Sequence, residues 1–174
     1  MMPLLWHTDR ELRKGRVPLW NPFAGLGVPF LGNQRSAVLH PFTALGVAVG
    51  RRHALLTVTF CRWLLAFLGT WLLATEMGQC VAGRAVAASV FSLSPALVAR
   101  LTFPMGGVLA HTPLLLYLAI RAGRCWQRPR WIVALALGLL SSILAGHFEY
   151  LPVVWAVTAA AFVGATLRAE GSRR

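Results

Sequence analysis

His147 and Glu149 sit in the stretch AGHFEY, between two apolar runs. In such a turn a His or a Glu can contact a phosphate, hold a metal or carry a proton; the plainer reading is a polar turn at the level of lipid headgroups. The cations suited to a phosphate are Arg13, Lys14, Arg16, Arg35 and Arg100. Arg in particular meets phosphate oxygens with two parallel N–H bonds. Arg62 lies inside an apolar run, where a charge is costly; it either snorkels to the interface or has a function. His111, just before Pro113, reads as a hydrogen-bonded histidine inside a helix bundle, and Glu76 as a surface acid at the far end of its run. His7, His40 and His53 offer further nitrogens, but no spacing in the chain matches a metal-ligand pattern, so no metal is expected and any cofactor is unknown. Cys61, Cys80 and Cys125 are odd in number and in no C-x-x-C pair, which suits small core residues better than disulfides or metal ligands.

The elements that must carry these residues are apolar helices. The 174-residue chain is 57% hydrophobic and 13% charged, too apolar for a soluble domain of this size. The net charge of +12 would suggest nucleic acid in a soluble protein, but here the Arg residues fall mostly between apolar runs, so flanking charge at a membrane is expected and nucleic acid is not. The fold class expected is all-α: a polytopic helical membrane bundle of about five spans, with an N-terminal region of interfacial loop and short helix. Residues 1–50 form that external region and 51–174 the bundle. Candidate spans are 54–76, 83–99, 106–121, 130–146 and 150–168. A crossing helix needs roughly 20 residues, so the third and fourth are marginal. Pro95, after Ser92 and Ser94, should kink or break the second. The first 16 residues are not a signal peptide, because the apolar part is short and the charges follow it.

Short connectors make the spans antiparallel neighbours. Parity then puts residues 1–50, the loop near Arg100 and the turn at His147 on one side. The loop RAGRCWQRPR and the tail RAEGSRR lie on the other. The charges divide eight against eight between the sides, but the short loop around Arg124 and Arg128 is the denser, and Trp126 and Trp131 suit its interface. The positive-inside rule works best on such loops, so residues 1–50 are expected outside the cytoplasm.

Within residues 1–50, Thr8-Asp9-Arg10-Glu11 matches a capping box and predicts a short surface helix over 9–14, ended by Gly15. Arg10, Arg13, Lys14 and Arg16 would face water or headgroups. The following PLWNPFAGLGVPFLGNQ cannot be regular helix for long: Pro18 and Pro22 restrict the residues before them, and Gly25, Gly27 and Gly32 allow tight bends. Trp20, Phe23 and Phe30 suit the membrane interface. SAVLHPFTALGVAVG reads as a surface-lying or re-entrant helix leading into the first span.

The stretch from Arg10 to Leu45 resembles the first large external loop of YfhO-type bacterial membrane proteins, which are similar to glycosyltransferases of the GT-C class. Gly15, Pro18, Trp20, Asn21 and Pro22 fit the first part of the loop pattern, and Gly27, Pro29, Gln34 and Pro41 fit the rest. Gly146 and His147 resemble a later Gly-His-x-Gln element, with Glu149 in place of Gln. The resemblance implies transfer of a sugar from a polyprenyl-phosphate carrier to a cell-envelope acceptor at the outer face. The implied partners are membrane lipids, the polyprenyl-phosphate-linked sugar and a complementary membrane chain. The family's catalytic acid is expected on a span before the loop, and Asp9 lies too close to RELRKG to be it. This implies a fragment that does not catalyse alone. Two other classes stay open: a flippase-like transporter of lipid-linked sugar, and a non-catalytic structural subunit or gene relic.

Overall fold

The computed structural model describes residues 2–171; Met1, and Arg173 and Arg174 of the charge balance, lie outside the described residues. The described chain is mostly helical. Its elements are α1 (Met2–Arg13), a two-stranded ribbon of β1 (Trp20–Asn21) and β2 (Val28–Pro29), a 3-10 turn (Gln34–Ser36), α2 (Pro41–Val49), α3 (Ala54–Glu76), α4 (Val81–Ser92), α5 (Pro95–Val98), α6 (Pro104–Arg124), α7 (Pro129–Leu144) and α8 (Leu151–Gly171).

Three helices, α3, α6 and α8, are long and apolar enough to cross a membrane. α3 has the bounds expected from its apolar run, and α6 is longer than the sequence suggested, at 21 residues. α4 and α7 are shorter, at 12 and 16 residues. The second candidate span is broken as Pro95 requires: α4 stops at Ser92, and Ser94 caps α5 with its hydroxyl toward the Leu97 N–H. Large apolar side chains face outward on α3 (Leu56, Phe60, Leu68), α7 (Val133, Leu137) and α8 (Val153, Val163). Such a surface suits lipid, where outward Leu and Val cost nothing.

α6 is the central helix, packed on α3, α7 and α8. In lipid, helices associate through close packing of small residues rather than by hydrophobic burial. α3 turns a stripe of Ala54, Val58, Arg62, Ala66, Gly69 and Ala74 inward. Gly69 lets the α6 backbone approach: a Cβ there would stand 2.9 Å from the Leu114 nitrogen. At one end of the bundle Glu76 of α3 pairs with Arg121 (2.9 Å) and Arg124 (2.6 Å) of α6. Glu76 is thus a strut between two helices, not the free surface acid expected. At the other end residues 2–50 pack over the helix termini.

Three local expectations change. α1 begins at Met2, not at a Thr8 cap; Thr8 is buried in mid-helix and its hydroxyl donates to the Leu4 carbonyl. The capping-box pattern falls within a helix that has already started. Its end is as expected: the Gly15 and Arg16 N–H groups close on Leu12 and Glu11 carbonyls, with Gly15 left-handed. Phe30 is fully buried rather than interfacial, because its ring packs on His7 at 4.7 Å. Cys80 is exposed, and Cys61 and Cys125 only half-buried, so none is a core residue.

Candidate functional site

Pro18, Trp20, Asn21 and Pro29 build a small hairpin. Trp20 pairs with Pro29 and Asn21 with Val28, and the Phe30 N–H extends the ladder to Leu19. Buried Asn21 turns its Oδ1 onto the Phe23 N–H at 3.0 Å, across Pro22, which fixes the turn locally. The Trp20 indole lies against Gly27, where a Cβ would meet it at 2.5 Å. These motif residues therefore act as architecture: they shape the segment that delivers Gln34 and Arg35.

That segment meets the turn between α7 and α8. Gly146 takes φ +91°, and a Cβ there would collide with the Gln34 carbonyl oxygen. A side chain at 146 would therefore be strained twice, by its backbone angle and by the contact. Beside this contact opens a cleft of about 330 Å³ lined by Asn33, Gln34, Arg35, His147 and Glu149. The opening is near the lower end of the size range of ligand pockets. His147 is largely buried with its ring against Tyr150, and its Nδ1 has no hydrogen-bond partner among the described residues. Arg35 and Glu149 are exposed. Ala37, next to the cleft, is held at φ +47°, a left-handed conformation rare for a residue with a Cβ. A cation, an amide, an imidazole and a carboxylate thus share one opening, a set able to hold a phosphate and several hydroxyls.

Of the five cations suggested by the sequence, Arg35 alone lines this cleft. Arg13 is paired with Asp9 at 2.7 Å and Lys14 with Glu11 at 3.6 Å along α1, and Arg16 is exposed beyond it. Arg100, just past α5, donates back to the Ala96 carbonyl of that helix. Pro41 opens α2 at its first turn.

A polar cluster that the sequence marks only faintly lies beneath the loop region. His40 caps α2: its Nδ1 accepts from the Phe42 N–H, so the ring proton sits on Nε2. The ring is fully buried, edge-on to His111 with centroids 5.6 Å apart. Burial, then the His111 ring and the Arg62 charge, pushes the His40 pKa down to about 3, so His40 is neutral at physiological pH. His111 is bonded on both nitrogens, to the Gly107 carbonyl (2.7 Å) and the Ser141 hydroxyl (2.9 Å). Arg62 does not snorkel: it is fully buried and donates to the Leu101 and Phe103 carbonyls, both at 2.9 Å. It thereby satisfies the loop that starts α6. The i, i+4 stripe Ala54, Val58, Arg62, Ala66 was the available signal that Arg62 points inward.

Among the described residues no three His, Cys, Asp or Glu side chains gather closely enough to hold a metal. No protein-family model matches the chain, and no curated protein or solved structure matches it.

Proposed function

We propose that this protein is the carrier-binding part of a GT-C-like membrane glycosyltransferase of the YfhO type, and that the cleft between Gln34–Arg35 and His147–Glu149 receives a polyprenyl-phosphate-linked sugar. The observation that carries the reading is the meeting of the hairpin-borne segment with the α7–α8 turn, with Gly146 seated on the Gln34 carbonyl. Two stretches more than a hundred residues apart thereby supply one polar opening at the end of an apolar bundle. In this reading Arg35 takes the phosphate, Gln34 and Glu149 hold sugar hydroxyls, and His147 closes the floor. In this reading the role of these residues is binding, and none of them is assigned the deprotonation of the acceptor. Five crossings, with α4–α5 and α7 spanning a locally thinned or protein-lined layer, leave the cleft on the outer face of a bacterial inner membrane.

The test is binding of undecaprenyl-phosphate-linked hexose to the full chain in nanodiscs. Arg35→Gln is expected to weaken it about tenfold, the loss of one charge-assisted contact, while Arg52→Gln, exposed and outside the cleft, leaves it within about twofold. Equal affinities of the two variants would remove the cleft from the account.

A further inference from the structure

A second cleft, of about 530 Å³, lies between α1, the hairpin and the α2–α3 link. Trp6, His7 and Arg10 line it from α1, Asn21 and Phe23 from the hairpin, and Arg51 from the link. Its floor is built: His7 is largely buried, its Nε2–H donates to the Trp20 carbonyl at 2.9 Å, and its ring meets Phe23 and Phe30 edge-on. The Arg51 guanidinium is held 4.1 Å above the Trp6 ring, which orients the cation without neutralising it. Among the described residues neither Arg10 nor Arg51 has a carboxylate partner, unlike Arg13 and Lys14 nearby in the chain. The adjoining hairpin exposes Leu19, Phe23 and Leu26, the last with its whole side chain outside the fold.

We propose that this cleft binds the phosphate headgroup of an anionic membrane phospholipid, with Arg10 and Arg51 on the phosphate and an acyl chain against Trp6, Phe23 and the hairpin tip. Charge and surface select this occupant. Two unneutralised guanidiniums call for an anion, and an apolar rim continuous with exposed Leu and Phe calls for a chain attached to it. A soluble anion would use the arginines and leave the rim in water. The proposal is independent of the Gln34–His147 cleft, with which it shares no residue.

The experiment is native mass spectrometry of the full chain, titrated in detergent with dioctanoyl phosphatidylglycerol, dioctanoyl phosphatidylcholine or glycerol phosphate. Phosphatidylglycerol should bind at least about tenfold tighter than either comparator. The R10Q/R51Q double variant should lose that preference. R16Q/R52Q, which removes the same charge outside the cleft, should keep affinity within about twofold. All four positions are exposed, so the variants leave the fold intact. Equal losses in both double variants would show diffuse surface charge and overturn the proposal. Equal binding of glycerol phosphate would make the site one for a soluble phosphate and overturn the lipid assignment.

Discussion

His40 shows how burial decides the chemistry of a single residue. Its ordinary pKa of 6.5 falls to about 3 in the folded protein. Between those values the unfolded chain takes up a proton that the folded one refuses. The sign follows: stability is full above pH 6.5 and is lost progressively as pH falls toward 3. Asn at position 40 preserves a capping acceptor but does not titrate. Thermal unfolding of His40→Asn should therefore lose less stability between pH 7.5 and 5 than the wild type; parallel curves would show that His40 is not the group responsible. Arg62 makes a related point about legibility. An Arg amid apolar residues was visible as unusual, but its role was not, because its partners are the Leu101 and Phe103 carbonyls, 39 and 41 residues away. Main-chain acceptors leave no mark on sequence.

At the scale of elements, the sequence was clearest where hydrophobicity alone sets the structure. The bounds of α3 and the break before Pro95 followed from an apolar run and a proline. The start of α1 did not, since a capping-box pattern also fits mid-helix residues when an earlier turn precedes them. The hairpin was legible as bends and prolines but not as a ribbon; its two-residue strands are too short to show alternation. The joint between elements that matters most is Gly146 on Gln34, of which only a glycine in a turn could be anticipated. Gly146→Ala should cost about 1–3 kcal/mol from the backbone angle alone, with more from the blocked approach. The measurement is the unfolding midpoint in detergent, and an unchanged midpoint would mean that the α7–α8 turn is not pinned to the loop.

For the whole molecule, an outward-facing apolar surface around small-residue contacts was foreseeable from composition, as was the mostly helical fold. The convergence of the cleft was only partly so. Parity grouped residues 1–50 with His147, and Gln34 and Arg35 do meet His147 and Glu149, while Arg13, Lys14, Arg16 and Arg100 are engaged or exposed elsewhere. Charge spacing along a chain cannot tell which cations share a face after folding. The two ends of the bundle can be told apart by chemistry. Phe23 is exposed at the loop end, and Cys80 is exposed near Glu76 at the other. With residues 1–50 outside, a membrane-impermeant maleimide should label the F23C variant in intact cells and reach Cys80 only after the membrane is opened. The reverse pattern would invert the orientation.

The central claim is that the Gln34–His147 cleft receives a lipid-linked sugar. It is tested most directly by photo-crosslinking a diazirine-bearing undecaprenyl-phosphate hexose to the full chain in membranes, then mapping the adduct by peptide mass spectrometry. The account expects adducts within 32–35 and 146–149, competed away by unmodified carrier-linked sugar. Adducts confined to the outward faces of α3 and α8, or unaffected by the competitor, would contradict it.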